Sequence, residues 1–289
     1  MISELPLVGA GGEPVDLKRT LASHGVASLP PSSIDEEAWT LEVTLPGARG
    51  ARTVLVTQGR RGYASVSGAT RPILAQLRYM FRLDEDLSAF YAVAREDPTL
   101  EWAAAGAGRM LRAPTVFEDV VKTICTTNCA WSGTIRMVTA LVDHLGVPSR
   151  AGKRTFPTPA AMAEAGEDFY RDVARAGYRG AYLRALAGDV ASGALDLEAL
   201  NDPELPDEEV EARLLALPGV GPYATAHVML TSLGRYSRLV LDSWTRPAYA
   251  RFAGRKASDK TIERKFRRYG DYAGLAFWLL LTRGWVPET

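Results

Sequence analysis

The chain has 289 residues, 47% hydrophobic and 24% charged, with 26 Gly, 17 Pro and two Cys. That balance excludes a disordered, collagen-like or disulfide-stapled protein, and at roughly 100 to 200 residues per domain it suggests two domains. The 34 basic and 34 acidic side chains cancel, yet between Leu217 and Thr289 there are 12 basic residues against 5 acidic ones. This asymmetry reads either as an electrostatic footprint near the C-terminus or as a solvated basic helix such as 260–268.

In chain order, a strand is expected around Asp16 to Leu21. Three alternating segments follow, Trp39–Leu45, Thr53–Thr57 and Tyr63–Ser67, separated by Pro46-Gly47 and Gly59–Gly62. Alternation broken by turn residues predicts an antiparallel sheet. From Arg71 the period becomes helical, with Ile73, Leu74, Leu77 and Phe81 on one face and Pro72 suited to a first turn. Asp97-Pro98 opens a stretch with Leu100 and Trp102, and Pro114-Thr115 starts a helix. Another helix runs from about 132 to 144 and stops at Gly146. Further helices are expected at 158–165, 167–175, 179–192, 206–215, 222–233, 242–252, 258–268 and 271–283. The fold class is therefore α+β: an N-terminal antiparallel sheet over 1–70, a helix at 71–82 leading on, and a helical region over 83–289. The longest apolar run, Leu275–Leu281, is far below the ~18 residues of a membrane span. Met1-Ile2-Ser3-Glu4 has no basic, then apolar, signal pattern, so a cytoplasmic address is expected. Cys125 and Cys129, four apart in one expected helix, read as reduced thiols rather than a disulfide or a metal site.

Leu217-Pro-Gly-Val-Gly-Pro-Tyr223 lies between two helical patterns. Gly219 and Gly221 permit a crowded or left-handed backbone, Val220 can pack between the helices, and Pro222 suits the first position of the second one. Such a helix-hairpin-helix leaves N–H groups free to hold a phosphate without much side-chain charge. The same segment also reads as a Gly-rich connection and nothing more.

About twenty residues on, Leu239-Val-Leu-Asp242-Ser-Trp-Thr-Arg246 places a carboxylate after an apolar run and before a helix, where it is at least an N-cap. Here the chain resembles the HhH-GPD superfamily of DNA glycosylases, in which an Asp at this spacing from the hairpin faces an extruded nucleotide. Phe117–Asn128 with Met137 and Leu145-Gly146, Phe156-Pro-Thr158, Gly177-Tyr-Arg179 and Tyr269–Gly274 resemble the 8-oxoguanine DNA glycosylases. Trp278 through Gly284-Trp285 is instead similar to bacterial 3-methyladenine DNA glycosylase II.

The resemblance implies a monofunctional base-excision-repair enzyme that flips a damaged base out of double-stranded DNA and hydrolyses its N-glycosidic bond. It implies Asp242 as the catalytic carboxylate, desolvated beside C1′, and Asn128 as the side chain that fills the vacated stack. Gly219, Val220 and Gly221 would hold DNA, and Tyr223, His227, Phe277 and Trp278 would line the base pocket. His24-Gly25 falls where the oxoguanine enzymes place a pocket loop; Trp131 and Trp244 read as core. The lyase branch has a Lys where this chain has Tyr223, so strand cleavage is not expected. Phe277 stands where the oxoguanine enzymes use an amide, which favours an alkylated or deaminated purine instead. The four-Cys iron–sulfur loop of a related branch is missing, so no cofactor is expected beyond a Na⁺ or K⁺ on the backbone carbonyls of Leu215, Leu217 and Val220. The resemblance further implies a monomer working at the nucleoid, or in the nucleus of a eukaryote. Two alternatives stay open: a non-catalytic damaged-DNA-binding protein and a bifunctional 8-oxoguanine glycosylase/lyase.

Overall fold

The computed structural model describes residues 2–287. A five-stranded antiparallel sheet forms from β1 (Ile2–Pro6), β2 (Ser32–Asp35), β3 (Thr40–Leu45), β4 (Arg52–Gln58) and β5 (Tyr63–Ser67), in the order β1-β5-β4-β3-β2. Alternation puts Leu41, Val43, Val54, Val56, Ala64 and Val66 on one buried face. The register sets Val43 opposite Val54, and Val56 opposite both Leu41 and Val66. The edge strands were not foreseen because Ile2-Ser-Glu-Leu-Pro and Ser-Ser-Ile-Asp carry too few apolar residues to alternate.

The strand expected at Asp16–Leu21 is a short helix, α1 (Leu17–Leu21). Asp16 accepts a hydrogen bond from the Arg19 N–H at 3.0 Å, and Leu17, Thr20 and Leu21 bury at helical spacing. α2 (Arg71–Met80) covers the sheet with Ile73, Leu77 and Met80, and this core also draws on Phe81, Leu83 and Leu111 from further along the chain.

The remaining helices are α3 (Ser88–Arg95), α4 (Val116–Thr126), α5 (Trp131–Leu145), α6 (Pro159–Glu164), α7 (Arg179–Ala191), α8 (Asp207–Leu215), α9 (Pro222–Thr231), α10 (Thr245–Ala253), α11 (Asp259–Phe266) and α12 (Ala273–Thr282). α3 was missed, and the helix expected at 167–175 is a single π turn, Phe169–Val173. The 97–102 stretch opens a 3₁₀ turn, Glu101–Ala105. The helix expected from 242 begins at Thr245, because Asp242 caps it. Cys125 is buried in α4, whereas Cys129 lies past the helix end; both are free. None of the helices is long and apolar enough to cross a membrane, among the described residues.

α9 organises the helical region. Its sequence, PYATAHVMLT, has no Lys, Arg, Asp or Glu, and a helix apolar on all sides is stable only when surrounded. Ala224, Val228 and Met229 join a core with α4, α5 and α7, while Ala226 and Leu230 join a second core with α3, α10 and α12. At the end of α9, Ser232 Oγ donates to the Asp119 carboxylate at 2.7 Å. Burial raises the Asp119 pKa to about 7, and the Ala113 N–H also donates to it.

α12 packs against the segment leading to Asp242 so closely that its second residue must be glycine. A Cβ on Gly274 would lie 2.0 Å from the Arg238 carbonyl oxygen and 2.9 Å from that of Tyr236, while the Gly274 N–H donates to Tyr236 O at 2.7 Å. Neither neighbour is a flexible side-chain end. Gly274→Ala is therefore expected to lower stability by about 2 kcal/mol through overpacking, measured by urea denaturation. An unchanged midpoint would contradict this packing.

Candidate active site

α8 and α9 form the hairpin. Gly219 takes φ +82°, where a Cβ would also come within 2.8 Å of the Tyr182 ring. Gly221 has φ −104° and needs no left-handed backbone, but a Cβ there would meet nothing within 4 Å, so this side is open. Val220 is buried in the helical core as expected. Among the described residues, the N–H groups of Gly219, Gly221 and Tyr223 have no acceptor, and two of the three stand at the N-terminus of α9. The carbonyl oxygens of Leu215 and Val220 likewise receive no hydrogen bond, and that of Leu217 receives one from Val220 N.

Asp242 sits at the start of α10. Its Oδ1 accepts from the backbone N–H groups of Trp244 at 2.8 Å and Thr245 at 2.6 Å, and its own N–H donates to Thr245 Oγ1 at 2.8 Å. This reciprocal cap, with Thr245 fully buried, fixes the carboxylate. Oδ2 has no hydrogen-bond partner among the described residues. The carboxylate is half-buried rather than desolvated, because the cap holds it at the surface end of α10. It nevertheless interacts electrostatically with Tyr223, His227 and Arg246.

Aromatic rings form a continuous shell beside it. His227 has its ring centre 5.8 Å from Tyr223, 5.7 Å from His24 and 6.4 Å from Trp278. Trp244 lies 5.6 Å from Trp278 and 5.3 Å from Trp285. Tyr223 is part-buried, and its hydroxyl is 3.2 Å from Thr126 Oγ1; burial raises its pKa. Trp278 is held by its N–H donating to Ser23 O at 2.7 Å. His24, Gly25, Ser28, Ile34 and Trp285 line a cavity of about 290 Å³ next to this shell. A larger cavity of about 920 Å³ elsewhere is walled by groups already paired with one another, such as Arg112 with Asp84 and Arg235 with Asp207.

Burial depresses both imidazoles of the shell, His227 to about 4 and His24 to about 3, the second also through repulsion by His227. His24 Nε2 lies 2.7 Å from the Leu111 carbonyl oxygen, which can only accept. The proton is therefore on Nε2, and the buried Nδ1 is a lone-pair acceptor without a partner among the described residues.

Two expected placements are corrected. Phe277 does not line a pocket: it is completely buried, with ring centres 5.1 Å from Phe266 and 6.1 Å from Tyr249. One residue along α12 turns the side chain by about 100°, and Trp278 faces the shell instead. The case against oxoguanine drawn from Phe277 falls with it. Trp131 is not core but 46% exposed, at the start of α5, with its ring 3.6 Å from a Cβ built on Gly25.

Asn128 is exposed in the turn between α4 and α5 at φ +45°. The guanidinium of Arg179, itself buried, donates to the carbonyl oxygens of Thr127 and Asn128 and holds the turn. The exposed Tyr178 hydroxyl is 3.4 Å from the Asn128 amide. Arg179 and Trp285 stand in segments that carry the resemblance but were given no role in the site, since only packing shows what they touch; the tautomer of His24 has no sequence signal at all.

No protein-family model matches the chain. A probable N-glycosylase/DNA lyase of Methanothermobacter thermautotrophicus is 25% identical over 238 residues, 74% of each chain. The N-glycosylase/DNA lyase OGG1 of Arabidopsis thaliana is 29% identical over 236 residues, 73% of this chain and 63% of that one. In fold, the chain is similar to the Clostridium acetobutylicum 8-oxoguanine glycosylase/lyase in complex with double-stranded DNA, at TM-score 0.75 and 21% identity over 98% of this chain and 97% of that one. It is equally similar to the 3-methyladenine DNA-glycosylase of Archaeoglobus fulgidus, at TM-score 0.75 and 18% identity over 99% and 100%. The chain thus has the fold of these DNA glycosylases and resembles two proteins named N-glycosylase/DNA lyase in sequence. On that fold it combines a hairpin, a capped Asp242 and Tyr223 at the second position after the last hairpin glycine.

With three His in the sequence, imidazole titration is directly readable by NMR. His24 and His227 are expected to stay neutral down to pH 5, because burial disfavours the cation. A midpoint near 6.5 for either would contradict the closed shell.

Proposed function

We propose that this protein is a member of the HhH-GPD superfamily and a monofunctional DNA glycosylase that extrudes a damaged base from double-stranded DNA and hydrolyses its N-glycosidic bond. The observation that carries the reading is the state of Asp242: one oxygen locked by two backbone N–H groups, the other unpartnered among the described residues, beside the aromatic shell.

The chemistry follows from charge. As the bond to the base breaks, the sugar takes on oxocarbenium character, and a fixed carboxylate facing C1′ stabilises it without reorganisation. Oδ2 is also the atom able to orient or deprotonate the attacking water. A base inside the duplex cannot reach this carboxylate, so the nucleotide must leave the stack. Asn128, on the turn held by Arg179, fills the gap, and the Gly219–Gly221 N–H groups hold a backbone phosphate. The open carbonyls of Leu215 and Val220, with that of Leu217, suit a Na⁺ or K⁺ there, which would add positive charge facing the same phosphate. No further cofactor enters the reading. Among the shell residues there is no amine, and Tyr223 is a phenol whose pKa is raised, which supports hydrolysis without Schiff-base strand cleavage. The two relatives named N-glycosylase/DNA lyase keep the bifunctional reading in view, and the test below includes it.

Stacking on the part-exposed Tyr223 and the exposed Trp285 favours electron-poor purines, and imidazoles that stay neutral do not repel a cationic, alkylated one. Alkylated or deaminated purines are thus the proposed substrates. Phosphate binding gains nothing from a carboxylate whose second oxygen is left open once the first has capped the helix, which sets this reading above a non-catalytic one. The protein is proposed to act as a monomer where the genome is, at the nucleoid or in the nucleus.

A panel of duplexes, each with one damaged base, assayed for alkali-labile sites tests the reading; a blank panel contradicts it. Asp242→Asn is expected to bind lesion DNA but to excise at least ~10²-fold more slowly, the scale of one lost electrostatic partner. Near-full excision by that variant would refute the assignment. Borohydride is expected to trap no protein–DNA adduct with the unaltered protein, and a trapped adduct would establish lyase chemistry.

A further inference from the structure

The hairpin and α9 contain no Lys or Arg from Leu217 to Thr231. Backbone N–H groups place a phosphate, but duplex affinity comes mainly from cations that displace counterions. Resting on the glycosylase reading, the question is where this neutral chain keeps them.

α11 answers it. Ile262 and Phe266 bury one face, while Lys260, Arg264 and Arg267 recur at the i, i+4, i+7 spacing of the other and are all exposed. Lys256, in the segment that leads into the helix, and Arg251 and Arg255 before it are exposed as well. None of these six forms an ion pair among the described residues. The two acids on the helix do not cancel them. Asp259 is taken by a two-pronged pair with Arg246, at 2.8 and 2.9 Å, leaving Glu263 alone.

That pair also places the stripe. Arg246 is in the first turn of α10, one turn after Asp242, so α11 starts beside the candidate active site. Its last turn is tied down by Lys265 over the rings of Tyr249 and Phe252, 5.5 and 5.6 Å from their centres. The cations thus form a fixed surface leading away from Asp242. The first 216 residues, by contrast, hold 29 acidic residues against 22 basic ones.

We infer that the exposed face of α11, Lys260-Arg264-Arg267 with Lys256, is a second phosphate-binding surface that holds the DNA duplex flanking the damaged nucleotide. The hairpin sets the register, and α11 supplies the salt-sensitive part of the affinity.

The test is the triple variant Lys260→Gln/Arg264→Gln/Arg267→Gln. Binding to a 25-base-pair duplex carrying a tetrahydrofuran abasic analogue is followed across NaCl concentrations, with circular dichroism as the check on folding. The salt slope is expected to fall by about 2 to 3, at about 0.9 for each phosphate that is no longer neutralised. Affinity at low salt should drop at least 10-fold. Single-turnover excision at saturating enzyme should not change, since no residue of the site is altered. Unchanged slope and affinity in a folded variant would overturn the inference. Should the slope fall while the unaltered protein excises no base, the surface stands and the glycosylase reading fails.

Discussion

The arrangement around Asp242 depends on a single compromise between burial and access. A carboxylate that is to stabilise a cation must be held still, yet one taken fully out of water without a charged partner would take up a proton instead. Here the helix supplies the solution. Two N–H groups of α10 fix Oδ1, Thr245 closes the cap from the interior, and Oδ2 stays open. Asp119 shows the other outcome in the same molecule: completely enclosed between α4 and the end of α9, it has its pKa raised to about 7 and serves as a structural hydrogen-bond acceptor.

The rest of the fold holds that carboxylate against the hairpin. α9 is buried between two cores and carries the open N–H groups at one end and His227 in its middle. α12 approaches the 236–238 backbone so closely that Gly274 is required, and the next turn presents Trp278 to the shell. The N-terminal region contributes too: the chain between α1 and β2 brings His24 and Gly25 to the cavity that Trp285 also lines. Charge is divided in the same way, with neutral rings around the base site and cations on α11.

Features written in local sequence were legible. The three central strands alternate, α2 has its apolar face, and Leu217–Tyr223 and Asp242 have the spacing that brings them together. Features decided by tertiary packing were not. Asp16–Leu21 is too short for its period to separate strand from helix, and the capping bond from Arg19 N–H decides it. Phe277 and Trp278 are adjacent, and only the docking of α12 determines which one enters the core. Trp131 is large and apolar, yet the end of α5 leaves it exposed next to Gly25. Asp242 was expected to be desolvated, but an N-cap lies at a helix end, where water remains close. The acceptor on His24 follows from a carbonyl 87 residues away, which no spacing reveals.

The most direct measurement of the electrostatic role of Asp242 is equilibrium binding of two duplexes that differ only at the sugar of the target nucleotide. One carries a cationic pyrrolidine and the other the neutral tetrahydrofuran. The account predicts that the protein binds the cation at least ~10-fold more tightly, as transition-state analogues are favoured, and that Asp242→Asn removes the difference. Equal binding of the two duplexes by the unaltered protein, or a preference that survives in Asp242→Asn, would contradict it.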